Sequence, residues 1–142
     1  MKSLFEGTFQ EDGTAIIRGR LAAPDGTGTA TGRPGEGNWV KRADVTSISW
    51  KAFVSTDGGT TWAEVAAVGG SLTVADVLTD TPVTTNTNWT RDAIGFNYAQ
   101  TIAATVFATG GTLGKVEVKV TLTGSTVCWG VWQGPVEPVS TS

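Results

Sequence analysis

Histidine is absent from this sequence, and its absence excludes more chemistry than any other feature of the chain. Ser-His-Asp and Cys-His nucleophile activation both require an imidazole, as does almost every zinc site. The single cysteine, Cys128, excludes an intrachain disulfide and is interpreted as a small apolar residue in a strand. The sequence therefore predicts a non-enzymatic protein with no cofactor and no metal site.

Charge is also scarce. Only 16% of the residues are charged, the net charge is −3, and the 10 lysines and arginines are scattered rather than clustered. Nucleic-acid-binding proteins carry a basic patch that neutralises phosphates, so a nucleic-acid partner is not expected. No segment approaches the roughly 18 apolar residues of a membrane span, and the first residues lack the apolar run of a signal peptide. We expect no membrane partner and synthesis in a cytoplasm.

Glycine and tryptophan are abundant by contrast, with 19 and 6 copies in 142 residues. Seven to nine short runs of alternating polar and apolar residues are separated by turn signals about every ten residues, a spacing typical of β-sandwiches. The length fits one core. We predict an all-β fold, a single immunoglobulin-like antiparallel β-sandwich over residues 1–142, without the Cys-Trp-Cys framework of antibody domains.

The segment STDGGTTW, residues 55–62, predicts a β-hairpin. The Asp57 carboxylate can accept hydrogen bonds from nearby backbone N–H groups, and Gly58 and Gly59 can take the positive φ of a tight turn. The segment resembles the Asp-box, S-x-D-x-G-x-T-W, of sialidases and related propellers, in which it is a structural hairpin far from the chemistry. It occurs once here, so the resemblance implies a structural turn and not a propeller.

Two further hairpins are predicted. One opens the chain, with strands at residues 4–9 and 14–21 around the turn Glu11-Asp12-Gly13. The other closes it around a turn centred on Gly124-Ser125, with Val116, Val118, Val120 and Leu122 facing inward. On the return strand this turn predicts that Val127, Trp129 and Val131 face inward, and that Cys128, Gly130 and Trp132 face outward.

Three segments lack periodicity and are predicted to lie outside the sandwich. Residues 22–38, rich in glycine and proline, are predicted to form an extended arm, although a surface loop without function is the alternative. Residues 83–92 form a loop that contains Trp89, and residues 134–142 form an extended tail. Long loops in compact domains are usually functional or disordered, and we expect these segments to contact partners.

Tryptophans and carboxylates are the remaining candidates for a binding or catalytic site. Alternation places Trp50 and Trp129 in the core and Trp62 on its own hairpin, which leaves Trp39, Trp89 and Trp132 to stack on sugars or to anchor a protein interface. Two carboxylates could hydrolyse a glycoside without histidine. The candidates for this are Asp57, Asp76, Asp80 and Asp92, but none lies in a recognisable acid-base setting, and no D-x-D-x-D-G run predicts calcium.

The segments WVKRADVTSI, TGGTLGKVEV and TVCWGVW, residues 39–48, 109–118 and 126–132, resemble small immunoglobulin-like structural proteins of tailed bacteriophages and prophages, of the baseplate-upper or head-decoration type. The resemblance implies a virion structural role, with assembly in the cytoplasm of a bacterial host. Partners would be other virion proteins and copies of the chain itself. The expected interface residues are Trp39, Trp89, Trp132, Arg33 and Pro34. The alternative function is a carbohydrate-binding module.

Overall fold

A computed structural model describes residues 9–21, 40–86 and 95–138 of the chain. These ranges contain nine strands, one turn of 3₁₀ helix and one turn of α-helix. In chain order they are β1 Phe9–Gln10, β2 Ala15–Gly19, the 3₁₀ helix Arg42–Asp44, β3 Val45–Ser55, β4 Ala63–Glu64, β5 Gly70–Leu72, α1 Val74–Val77, β6 Leu78–Val83, β7 Phe96–Ile102, β8 Leu113–Leu122 and β9 Val127–Glu137.

The strands form two sheets. The larger has the order β1-β9-β8-β3-β4, with β5 also paired to β3, and the smaller has the order β2-β7-β6. Buried residues of both sheets pack into one core, so the two sheets form a sandwich. The all-β sandwich prediction is therefore confirmed. One pair departs from the antiparallel pattern, because β1 runs parallel to β9.

The core lies between the two sheets and is built by the alternation of β3 and β8. Ile48 and Ala52 of β3 are fully buried, and Trp50 and Val54 pack against the same core. All four predicted inward residues of β8 are buried to 1% exposure or less: Val116, Val118, Val120 and Leu122. The outward residues of both strands are left to form the exposed face of the larger sheet.

The predicted opening hairpin is wrong. The strands on either side of the turn belong to different sheets, since β1 pairs with β9 while β2 pairs with β7. The turn itself is present: Asp12 has a φ of 51°, and Gly13 N donates to the Gln10 carbonyl at 2.9 Å. The Asp-Gly signal identified the turn, but the tertiary pairing of each strand determined that the chain crosses the sandwich there.

The predicted facing of β9 is also wrong. Thr121 pairs with Val127, and Leu122 N donates to the Thr126 carbonyl at 2.7 Å, so the loop contains residues 123–125. The two-residue turn centred on Gly124-Ser125 would shift the register by one residue, which moves every side chain of the return strand to the other face. Cys128, Gly130 and Trp132 therefore face the core, and Trp129 faces outward.

The predicted tail begins inside the fold, because β9 continues to Glu137. Val136 is 1% exposed, donates its N–H to the Thr112 carbonyl and accepts from Gly111 N. Proline disfavours helix in the residue before it but is compatible with extended backbone, so Pro135 does not interrupt the strand. Only residues 139–142 of the predicted tail lie outside the described ranges.

Candidate binding surface on the larger sheet

Four of the five predicted interface residues, Trp39, Trp89, Arg33 and Pro34, lie outside the described residues, as do the whole of the arm and most of the Trp89 loop. The fifth, Trp132, is fully buried, so the prediction that it is exposed at an interface is wrong. The face of β9 that sequence analysis assigned to solvent is the face that packs against the smaller sheet.

Trp132 joins the two sheets. Its indole stacks on Tyr98 of β7 with ring centroids 5.3 Å apart, and its Nε1 donates to the Arg18 carbonyl of β2 at 2.8 Å. A Cβ on Gly130 would lie 2.6 Å from the Trp132 ring, so glycine is required there to admit the indole. Trp132 is therefore a structural residue of the core.

The hairpin at residues 55–62 has the geometry that its sequence predicts. β3 ends at Ser55, and Val54 pairs with Ala63 on the return strand. The Asp57 carboxylate accepts from Thr61 N at 2.9 Å and from the hydroxyl groups of Thr61 and Ser55. Gly58 and Gly59 have φ values of 74° and 95°.

These hydrogen bonds explain the acidity of Asp57. The Thr61 side chain, the Thr61 backbone and the Ser55 side chain all donate to the charged carboxylate, and together they lower its pKa to about 2. Every donor to this carboxylate lies within its own turn, as expected of a structural residue. The geometry is that of a turn residue, and the carboxylate has no role in a paired acid-base arrangement in the described part of the chain.

The outer face of β3, β8 and β9 is the main exposed surface of the larger sheet. The strand register aligns Ser49, Lys119 and Trp129 in one row across the sheet, and Lys51, Glu117 and Val131 in the next. Trp129 is 42% exposed, one of two large apolar side chains exposed to this extent among the described residues. Sequence analysis missed Trp129 because it placed this residue in the core. The actual loop has three residues, and such loops commonly end with a residue of positive φ. A glycine at that position would have signalled the longer loop, but the position is occupied by Ser125.

A groove with a volume of about 390 Å³ lies on this face. It is lined by Ser49, Lys51, Phe53, Glu117, Lys119 and Trp129. The volume is within the range of small-ligand sites, which commonly measure about 300–1,000 Å³. A second groove, of about 290 Å³, lies at the end of the sheet between the 55–62 hairpin and residues 135–138.

The charges of the first groove are unequally paired. The Lys51 ammonium lies 4.0 Å from the Glu64 carboxylate, and Glu117 lies 3.8 Å from the ammonium of Lys115. Lys119 has no carboxylate partner among the described residues, and its ammonium lies 6.0 Å from the centroid of the Trp129 ring. Within the described part of the chain, the groove therefore places one cation without a carboxylate partner beside an exposed indole.

The Asn97 side chain is hydrogen-bonded to the backbone on both sides of residues 22–39. Its Oδ1 accepts from Leu21 N at 2.7 Å, while its Nδ2 donates to the carbonyls of Leu21 and Val40 at 2.9 and 3.1 Å. Val40 N also donates to the Leu21 carbonyl at 3.0 Å. We call these three residues the Asn97 clasp. All three are at most 1% exposed, so the clasp is a buried part of the sandwich.

No arrangement for metal or nucleophilic chemistry is found within residues 9–21, 40–86 and 95–138. No group of three metal-ligating side chains occurs there. Burial raises the pKa values of Tyr98 and of the Cys128 thiol, which disfavours the reactive anionic form of each. In the same ranges, no helix has the length and apolarity needed to cross a bilayer.

Comparison of the chain with protein-family models, with curated proteins and with solved structures finds no match in any of the three.

Proposed function

We propose that this chain is a non-enzymatic binding subunit of a larger particle, of the kind found among virion structural proteins. It acts through non-covalent contacts with copies of itself and with other particle proteins, and residues 22–38 form the principal contact segment. The resemblance of residues 39–48, 109–118 and 126–132 to phage structural proteins supports this proposal.

The Asn97 clasp is the observation that carries the proposal. Leu21 and Val40, the described residues on either side of residues 22–39, are hydrogen-bonded to each other and to Asn97, so the sandwich is closed at this point. The core does not need the intervening segment to complete this closure. Long segments of this kind are usually either functional or disordered, and contact with a neighbouring subunit is a function that requires no catalytic residues.

The experiment replaces residues 24–36 by a short Gly-Ser connection and leaves the Asn97 clasp intact. We expect the free energy of unfolding to change by less than about 1 kcal/mol, because loop-closure entropy varies slowly with loop length. Sedimentation velocity should show that the full chain self-associates at micromolar concentrations and that the shortened chain remains monomeric.

A second variant serves as the matched control. It replaces residues 24–36 by a Gly-Ser segment of the same length, so that the loop length is kept and the contact residues are lost. It should also remain monomeric. A full chain that stays monomeric, or a shortened chain that assembles normally, would contradict the proposal. Unfolding of both variants would place residues 24–36 in the core.

Carbohydrate binding is the second candidate function. One observation favours it, namely the exposure of Trp129 at the edge of a groove of ligand size. An exposed indole offers a flat apolar surface to a sugar ring, and the groove adds a hydroxyl, a carboxylate and two ammonium groups as hydrogen-bonding partners. Trp132 no longer belongs among the candidates for this role, because it is buried.

A further inference from the structure

We infer that the groove beside Trp129 is a site for an acidic sugar, one whose ring carries a carboxylate. This inference rests on the second candidate function, carbohydrate binding, and specifies its ligand. The indole of Trp129 would receive the apolar face of the sugar ring, and the ammonium of Lys119 would pair with the carboxylate.

The composition of the face favours a polar small ligand over a protein partner. The cores of protein interfaces are depleted in lysine and glutamate, since charged groups are costly to desolvate. This face carries three lysines and two glutamates within and around the groove. A sugar with many hydroxyl groups can satisfy such side chains by hydrogen bonds without removing all of them from water.

The pairing of the charges favours a ligand that presents one carboxylate to Lys119. Lys51 is close to Glu64, and Glu117 is close to Lys115, which leaves Lys119 as the groove cation without a carboxylate partner in the described chain. Its distance of 6.0 Å from the Trp129 centroid is at the outer limit of a favourable cation–π contact. The ammonium can therefore bind an incoming carboxylate at little cost, while the same ligand covers the adjacent indole.

The volume of the groove and the spacing of its lining residues fit one or two sugar rings. Trp129 and Lys119 are direct neighbours across β9 and β8, and Ser49 completes the row on β3. A ring stacked on Trp129 would thus bring its substituents toward Lys119 first and toward the Ser49 hydroxyl next. Phe53, also in the lining, provides a second apolar surface farther along the groove.

The experiment titrates the full chain with α-1,4-linked tetragalacturonate and, separately, with its full methyl ester. The two probes share one backbone and differ in charge. Binding is measured by calorimetry and by the fluorescence of Trp129, with Trp129→Phe used to assign the signal. We expect the acid to bind about tenfold more tightly than the ester, since one of its four carboxylates makes a charge-assisted hydrogen bond with Lys119 that the ester cannot make. This preference should weaken with added salt.

Three variants locate the site. Trp129→Ala should abolish binding of both probes, and Lys119→Gln should lower the affinity for the acid about tenfold while leaving the ester unchanged. Lys41→Gln, at an exposed lysine outside the groove lining, is the control and should bind as the parent chain does. Thermal melting of each variant shows whether it is folded.

The outcomes separate this inference from the function on which it rests. Equal binding of acid and ester through Trp129 would leave carbohydrate binding in place and overturn the acidic specificity. Binding of neither probe would overturn both. Binding of a poly-glutamate peptide in preference to the tetragalacturonate would assign the groove to an acidic protein segment and would also overturn the inference.

Discussion

Two tryptophans three positions apart on β9 have opposite roles. Trp132 stacks on Tyr98 between the sheets, whereas Trp129 lies on the exposed face beside Lys119. Aromatic side chains contribute to stability chiefly through the apolar area that they bury. The buried Trp132 should therefore contribute more to the free energy of unfolding than the exposed Trp129. The same residue type is structural at one position and a candidate for binding at the other.

We expect Trp132→Ala to lower the free energy of unfolding by about 3–5 kcal/mol, because a large cavity would remain between the sheets. Trp129→Ala should lower it by about 1 kcal/mol or less, as expected of a surface substitution. Urea denaturation measures both. Should Trp132→Ala not fold, Trp132→Phe also tests whether Trp132 is a structural residue. This variant should be less stable than the parent chain, because it loses the hydrogen bond to the Arg18 carbonyl. Equal costs at the two positions would contradict the assignment.

Asp57 links stability to pH. Its pKa in the folded chain is about 2, below the ordinary value of 3.8, so the native state binds fewer protons than the unfolded state between these values. Stability therefore rises with pH through this window, and the contribution of Asp57 is lost as the pH falls from about 4 to about 2. We expect Asp57→Asn to flatten this part of the stability profile, measured by urea denaturation at a series of pH values.

Thr61→Val is the matched control, because it removes the hydroxyl donor and retains the shape of the side chain. The pKa of Asp57 should rise toward its ordinary value in this variant, as followed by NMR titration. Unchanged acid sensitivity in Asp57→Asn would show that the carboxylate is not held by its turn.

At the scale of elements, the loop between β8 and β9 determines which face of β9 meets the core. Gly124 and Ser125 both have positive φ, at 89° and 69°. A non-glycine residue in this region is strained by its Cβ, at a cost of about 1–2 kcal/mol. Replacement by glycine removes this strain, but it also gives the unfolded chain more conformational freedom, which offsets part of the gain in stability. Ser125 is therefore a position where the sequence does not match its backbone.

Ser125→Gly should stabilise the domain by up to about 1 kcal/mol. Ser125→Ala, which loses the hydroxyl but keeps the Cβ, should give no such gain. Thermal melting of the three proteins measures the difference. Stabilisation by alanine as well as by glycine would show that the hydroxyl, and not the backbone strain, is the unfavourable feature.

The Asn97 clasp is predicted to stabilise the fold by more than a single hydrogen bond. Replacement of Asn97 by alanine leaves the Leu21 N–H and the Val40 carbonyl without this buried partner, each at about 1–3 kcal/mol. We expect a loss of about 2–3 kcal/mol and faster amide exchange at Leu21. Asn97→Asp keeps the acceptor for Leu21 N and should protect that amide better than alanine does. Unchanged exchange at Leu21 would show that the clasp does not hold the flanking segments.

Alternation along β3 and β8 predicted the core of the larger sheet, and the residues STDGGTTW predicted their hairpin correctly. The sequence could not predict the pairing of β1 with β9, because this contact joins distant parts of the chain and leaves no local pattern. The face of β9 that meets the core depends on whether the preceding loop has two or three residues. The prediction of a two-residue turn therefore placed Trp129 in the core and Trp132 in solvent, the reverse of the structure. Asn97 was not predicted, since its partners are backbone groups that sequence patterns do not identify.

At the scale of the whole molecule, the edges of the larger sheet are short. β1 and β4 have two residues each and β5 has three, so each offers few unpaired backbone groups for strand addition. Natural sheets use short edge strands to limit edge-to-edge pairing. Strand addition at the larger sheet is therefore disfavoured, whereas the edge strands of the smaller sheet, β2 and β6, are longer, with five and six residues.

We expect the stability of the whole domain to be independent of divalent cations. The sequence has no histidine, and residues 9–21, 40–86 and 95–138 bring no three metal-ligating side chains together. A ligand that binds only the native state raises stability by mass action, so removal of a structural ion would lower the melting temperature. Melting with and without EDTA should give the same temperature, and a clear decrease would reveal an ion site.

The parallel pairing of β1 with β9 has a mechanical consequence. Phe9 lies beside Val136 and Gln10 beside Glu137, and Glu11 N donates to the Glu137 carbonyl at 2.9 Å. Tension applied between the residue before β1 and the residue after β9 would pull the two strands past each other along their length. The hydrogen bonds between them would then be loaded together in shear and could not open one after another. The two-residue strand thus resists extension of the domain under a pulling force.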